Sequence, residues 1–249
     1  MSCVAALLFG ALQGFTEFLP VSSSGHLLLF WRVAGQRPEQ FLPYAVAAHG
    51  GSLAALLLFM RPHIAALFER DNRNLRFVML AVAAAPAAVV GLALEKFVAA
   101  PPGWLLALCF ALSGLFCAGI RTSRRLGYTT LGVRGAFVVG LFQALALLPG
   151  VSRAGSTIYG ATLLCASRRD AGVFSFLVGM VVMGGALFLE LLGRSRSAGL
   201  SWTLAVAAGS SFFASLVALR LLFFILARGG LRVFCVWVLA AAAAGLALA

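Results

Sequence analysis

The sequence predicts an all-α polytopic membrane protein of two inverted-topology repeats, each a re-entrant helical hairpin plus three transmembrane helices. Three observations carry that expectation. Long apolar windows lack any charge, two further segments are broken near their middle by proline and polar residues, and one of those segments partly repeats the other.

Of the 249 residues, 62% are apolar and only 10% are charged, with a mean hydropathy of +1.03. That leaves too little polar side chain to clothe a soluble globule, so lipid must be part of the solvent. Windows 41–60, 77–94, 103–120, 171–189 and 200–219 contain no Asp, Glu, Lys or Arg. Each approaches the roughly 20 residues that cross the hydrocarbon as a helix. A spanning barrel would show short alternating strands instead. The expectation is a single membrane domain over 1–249.

In chain order the first element is 2–31, which holds Gln13, Glu17, Pro20, Ser22, Ser23, Ser24, Gly25 and His26. Pro20 interrupts the helix and the polar residues are costly against lipid, so this segment reads as a hairpin with its turn buried in protein. Spans follow at about 41–60, 75–95 and 103–120. The second hairpin, 135–166, holds Gln143, Pro149, Gly150, Ser152, Arg153, Gly155 and Ser156, and is followed by spans at about 171–193, 200–227 and 231–248. A shift of 130 residues superposes Gly10, Gln13, Val21, Ser22 and Gly25 on Gly140, Gln143, Val151, Ser152 and Gly155. Repeat one then covers about 1–121 and repeat two about 132–249. The odd number of spans after each hairpin inverts the second copy, which sets the two broken segments face to face at the midplane.

The formal charge of +12 would suggest nucleic acid in a soluble protein, but here the arginines gather in short loops, which is a topology signal. Loops 61–76, 121–134, 168–170 and 228–232 hold Arg61, Arg70, Arg73, Arg76, Arg121, Arg124, Arg125, Arg134, Arg168, Arg169, Arg228 and Arg232; the opposite loops hold Arg32, Arg37, Lys96, Arg194 and Arg196. The richer side is expected to be cytoplasmic, with both termini outside. No Lys or Arg precedes Arg32, so the first hairpin is not expected to be a cleaved signal peptide. Cys3, Cys109, Cys117, Cys165 and Cys235 show neither metal-ligand spacing nor a disulfide framework, and read as small hydrophobes.

If the two turns converge, they form an anion site. Each serine run follows a proline and opens a new helical stretch, so free backbone N–H groups and the positive end of a half-helix point inward. Arg153 adds a charged fork for two phosphate oxygens. Structural pairing with Glu17 is its other reading. Glu17 is the one acid inside a motif segment, since Glu39, Glu69, Asp71, Glu95, Asp170 and Glu190 fall at loops or helix ends. It is the candidate for metal or proton chemistry, because Mg²⁺ takes one or two carboxylates and completes its shell with phosphate oxygens and water. Ser23 and His26 stand at i and i+3, a nucleophile-and-base spacing, although capping is the commoner use of such serines. His49 could line the cavity, and His63 reads as a loop residue.

The run Gln13 to His26 (QGFTEFLPVSSSGH) resembles the first signature of the bacterial undecaprenyl-diphosphate phosphatase family, known also for bacitracin resistance. The run Gln143 to Ser156 (QALALLPGVSRAGS) is similar to its second, and further similarity at 51–59 and 174–177 extends it over most of the chain. The resemblance implies hydrolysis of undecaprenyl pyrophosphate to undecaprenyl phosphate and inorganic phosphate, which recycles the carrier lipid of cell-wall synthesis. It implies a divalent cation, Mg²⁺ or Ca²⁺, and a multi-pass protein of the bacterial inner membrane with its site open to the outer face. Carried over by position, Ser23 is the nucleophile, His26 its base or proton shuttle, Glu17 the metal or acid–base carboxylate, and Arg153 the pyrophosphate clamp. Gln13, Ser22, Ser24, Gly150, Ser152 and Ser156 complete the expected substrate contacts. The expected partners are a polyprenyl pyrophosphate lipid and the membrane, with no nucleic acid, and a homodimer is compatible with the sequence.

Three positions depart from the family pattern. Gln13 stands where many members carry a glutamate, Val173 replaces a frequent glutamate, and Ala154 replaces a serine. The rival reading is a transporter or flippase for a phosphorylated lipid on the same fold. The histidine-nucleophile design of other membrane lipid phosphatases is disfavoured, because Tyr159 and Leu163 occupy the places of its histidine and aspartate. A scaffold role would leave Glu17 and Arg153 without a purpose.

Overall fold

The computed structural model describes residues 1–94, 102–120, 127–164, 166–193 and 201–247. Glu95, Lys96, Arg121, Arg124, Arg125, Cys165, Arg194 and Arg196 lie outside the described residues, so that part of the loop-charge argument has no structural counterpart. Among the described residues the chain is α-helical, with two short 3₁₀ turns at Pro38–Gln40 and Tyr128–Leu131.

Helix α1 (Cys3–Phe18) starts at Ser2, whose hydroxyl accepts from Ala5 N at 3.2 Å, and stops just before Pro20, which has no N–H to continue it. After four residues the chain turns back as α2 (Ser23–Val33). The ring of Phe9 meets those of Phe30 and Trp31 at 5.9 and 5.5 Å, so the two helices lie antiparallel. The second hairpin pairs α7 (Gly132–Leu145) with α8 (Arg153–Leu163). There Phe142 meets Tyr159 at 5.6 Å.

The remaining helices are α3 (Phe41–Phe59), a short α4 (Arg61–Leu67), α5 (Arg73–Leu94), α6 (Gly103–Gly119), α9 (Arg168–Gly193), α10 (Trp202–Arg228) and α11 (Val233–Ala247). Four of them, α3, α5, α9 and α10, are long and apolar enough to cross a membrane. Helices α6 and α11, expected as full spans, have 17 and 15 residues and fall short of that length. Helix α4 lies where the sequence suggested only a loop.

Packing exchanges partners between the halves: α1 lies on α10 as α7 lies on α5, α3 on α10 as α9 on α5, while α3 meets α9 and α6 meets α11. Small residues allow the close approaches. A Cβ at Gly10 would strike Ala207 O, and one at Gly51 would strike Ala208 O. On the other side, a Cβ at Gly140 would sit 2.7 Å from Ala83 O. Ser52 and Ser211 share a hydrogen bond of 2.8 Å between α3 and α10, and Ser211 donates to Ala48 O at 2.8 Å. Leu108, Leu115, Phe188 and Phe213 stay exposed on the outside of the bundle, as lipid solvation requires.

Several basic segments meet at one end. Arg76 lies 3.7 Å from Glu69, Tyr128 stacks on Phe174 with ring centroids 5.6 Å apart, and Gly229 abuts the Arg168 guanidinium. His63, on α4 at this end, is pushed below its ordinary pKa by burial and by the Arg169 charge.

Candidate functional site

The turns of both hairpins face a cavity of about 330 Å³ lined by residues of α1, α2, α3, α8 and α9 and of the second turn. Glu17 sits in the last turn of α1 and is 8% exposed. It is the centre of a hydrogen-bond network. Its Oε1 accepts from Arg153 Nη2 at 2.9 Å, while its Oε2 accepts from Ser23 Oγ at 2.6 Å and from Gln13 Nε2 at 2.9 Å. His49 Nε2 stands 3.6 Å from Oε2, and its Nδ1 is 2.9 Å from Ala45 O. A carbonyl can only accept, so Nδ1 carries a proton.

Arg153 opens α8, 136 residues away from Glu17 in the chain, and is cradled by a stripe on α9. Its Nη2 also contacts Met183 Sδ at 3.2 Å, and its guanidinium carbon lies 6.0 Å from the Phe176 ring centroid. Gly179 completes that cradle, because a Cβ there would collide with Nη1. Nη1 itself is buried without a hydrogen-bond partner in the protein. The same helical face runs on through Ala186 and Leu187 to Glu190 at the cavity wall. Leu42, Val46, Leu147, Val182 and Leu187 give the cavity its apolar side.

The two serine turns differ. Ser22 has φ +70°, rare for a residue with a side chain, and α2 starts with no side-chain cap. The first N–H groups of α2, which like those of any helix have no intrahelical partner, therefore also lack a capping side chain, beside Ser22, Ser23 and Ser24 on the cavity. Ser152, by contrast, caps α8 by accepting from Gly155 N at 3.2 Å, and Gly150 takes the left-handed φ of +100°.

Glu17, Ser23, Arg153, Ser22, Ser24 and Ser152 thus share one cavity. The expected Ser23–His26 pair does not form. The Ser23 hydroxyl is turned to Glu17, and both ring nitrogens of His26 are occupied elsewhere: Nδ1 lies 2.8 Å from Ser22 O, and Nε2 accepts from Trp237 Nε1 at 2.8 Å. The i, i+3 spacing put the two residues on one helical face, but Ser23 is the first residue of α2 and its side chain reaches back toward α1. Three further expected substrate contacts lie off the cavity wall. Gln13 is fully buried against Glu17, Gly150 packs on Leu106 and Cys109, and Ser156 donates to Arg153 O at 3.1 Å. Val173 and Ala154 are core residues, 4% and 0% exposed, and neither lines the cavity.

Sequence reasoning missed Gly179, Met183 and Glu190 as site residues, since they lie in the same apolar span beyond the similarity at 174–177. Only their i, i+3/i+4 spacing with Phe176 could have marked them. Among the described residues no three His, Cys, Asp or Glu side chains gather tightly enough to hold a metal ion by themselves. Both Glu17 oxygens already accept hydrogen bonds, so the donor set fits a divalent cation only when phosphate oxygens and water complete its shell.

The chain matches the family described as Bacitracin resistance protein BacA over residues 6–244. Similar curated proteins, each named undecaprenyl-diphosphatase, include one from Novosphingobium aromaticivorans at 35% identity, covering 98% of this chain and 96% of that protein. Another, from Rubrobacter xylanophilus, is 36% identical over 98% of this chain and 97% of its own length. A third, from Chromohalobacter salexigens, is 34% identical over 95% of each.

Proposed function

Since the chain belongs to the bacitracin resistance protein BacA family, we infer that it hydrolyses undecaprenyl pyrophosphate to undecaprenyl phosphate and inorganic phosphate within a membrane. The observation that carries the chemistry is the 2.6 Å hydrogen bond from Ser23 to Glu17, itself held by Arg153 at 2.9 Å. A serine paired to a buried carboxylate is an activated nucleophile, which a lipid flippase has no need of.

Ser23 Oγ attacks the terminal phosphorus as Glu17 takes the hydroxyl proton. The bridging P–O bond breaks and undecaprenyl phosphate leaves, with the terminal phosphoryl group on Ser23. Water then attacks that phosphorus, Glu17 relays a proton back to Ser23 Oγ, and inorganic phosphate is released. Arg153 and the uncapped N–H groups of α2 face the charge that builds on the equatorial oxygens, where positioning and electrostatics do most of the work. Glu17 is the residue that would hold a divalent cation, Mg²⁺ or Ca²⁺, which would supply further charge neutralisation when bound. The apolar cavity wall takes the first prenyl units.

The two halves are, on this reading, inverted repeats with re-entrant hairpins, at about 1–121 and 132–249, in a bacterial inner membrane. In support, helix packing exchanges partners between the halves. The basic end is cytoplasmic and the cavity opens outward with both termini. Arg153 meets α9 at Phe176 and Met183, near the middle of a 26-residue helix, in keeping with a site at the bilayer midplane. Membrane-impermeant thiol labelling of single cysteines near residues 2, 36 and 71 tests the topology; the first two are labelled from outside and the third is not.

The decisive assay is phosphate release by purified protein from a C55 prenyl pyrophosphate. Arg153→Ala and Ser23→Ala are expected to lose at least about 10²-fold, and chelation to slow the wild type. Wild-type rates in both variants would remove the assignment and leave lipid flux as the activity to measure.

A further inference from the structure

The turn that delivers Arg153 has bonds of its own, Val151 N to Leu148 O and Gly155 N to Ser152 Oγ, and is tied down from outside the hairpin by α6. Ser113, fully buried in the middle of that apolar helix, accepts a hydrogen bond from Ser152 N at 2.7 Å and donates to Gly150 O at 2.8 Å, with Cys109 O at 3.1 Å as its helical alternative. One hydroxyl thus satisfies the N–H of the residue before Arg153 and the carbonyl two residues earlier. Gly150 takes a φ of +100°, and its carbonyl meets the Ser113 hydroxyl of α6.

We propose that Ser113 is a positioning residue for hydrolysis, fixing through the Gly150–Ser152 backbone the direction in which Arg153 enters the cavity. The proposal rests on the hydrolytic reading above. Helix α6 also reaches the first turn: Cys117 Sγ contacts Pro20 O at 3.4 Å, and Phe110 meets the His26 ring edge-on at 5.3 Å. A single helix therefore touches the turns that carry Ser23 and Arg153, and sets their spacing. Because displacement of a reacting group by about 1 Å can cost ~10²-fold in rate, a hydroxyl outside the cavity has catalytic leverage.

The test is phosphate release from undecaprenyl pyrophosphate by the full chain in detergent, for wild type, Ser113→Ala, Ser113→Thr and Ser113→Cys, with thermal midpoints measured alongside. Ser113→Ala is expected to lower kcat/KM about 10- to 100-fold, with Ser113→Thr recovering most of the rate because it keeps the hydroxyl. A double-mutant cycle with Arg153→Lys separates positioning from general destabilisation. If Ser113 acts through Arg153, the two losses combine to much less than their product, whereas independent damage multiplies. Ser113→Ala within about twofold of wild type, or multiplicative losses in the cycle, overturns the proposal. Should Ser113→Ala fail to fold, Ser113→Cys keeps the volume but only a weak donor, and a full rate there overturns it equally. An inactive wild type would instead sink the hydrolytic reading itself.

Discussion

The two hairpins share glutamine, serine and glycine at matching places, yet put them to different work. In the first, a four-residue turn leaves Ser22 at φ +70°, α2 uncapped and Ser23 bound to Glu17. In the second, a seven-residue turn places the left-handed conformation on a glycine, caps α8 with Ser152 and is held from outside by Ser113. Gln13 donates to Glu17, while its counterpart Gln143 is buried with neither amide atom hydrogen-bonded in the protein. One hairpin therefore presents the reactive group and free N–H donors, and the other presents a rigid cationic arm. The two turns meet at one cavity, and their differences at a few positions give each a separate part in the site.

The severest way to break this division is to remove the group that joins the halves. Glu17→Gln keeps the shape but removes the charge facing Arg153 and the acceptor of the Ser23 proton. It is expected to lower kcat by about 10³-fold or more in a phosphate-release assay. Next is the cradle of the cationic arm. Gly179→Ala should displace the Arg153 guanidinium and cost about 10²-fold in kcat/KM without loss of folded protein, as read by size-exclusion profile and rate together.

A smaller effect separates the roles of Ser23 and His26. His26 holds the first turn through Ser22 O and Trp237, so His26→Asn, which can still donate to Ser22 O, should cost only about 10-fold. The shape of its pH–rate profile should be unchanged; loss of a limb of that profile would restore His26 as the base. The smallest and sharpest contrast is the glutamine pair. Gln13→Leu removes a donor from a buried carboxylate and should cost about 10-fold in rate. Gln143→Leu replaces an unpartnered buried amide with an apolar side chain and should be neutral or stabilise by about 1 kcal/mol, measured as a rise in thermal midpoint.

Much of this was legible along the chain. Charge-free windows marked the long helices because lipid forbids unpaired charge, and proline with clustered serine marked the two turns because neither suits a span. Glu17 and Arg153 stood out for the same reason: an ionised group in an apolar segment is retained only for a partner or a ligand. The bounds of α3, α5, α9 and α10 fall within about three residues of expectation, the usual uncertainty of helix ends. What stayed hidden was which neighbour each polar atom would choose. The Ser23–His26 spacing fitted a helical face, but the bond went to Glu17, six residues back and across a turn.

The sequence by itself determined that lipid is the solvent, where the chain breaks, and which two charges must be accounted for, because these follow from local composition and backbone chemistry. Only the tertiary structure decided that Ser23 turns to Glu17, that His26 is spent on Trp237, that Gly179, Phe176 and Met183 cradle Arg153, and that Ser113 anchors its turn. Those contacts join residues from 6 to 211 positions apart. They depend on the angles at which helices cross, which one chain's residue pattern does not encode locally.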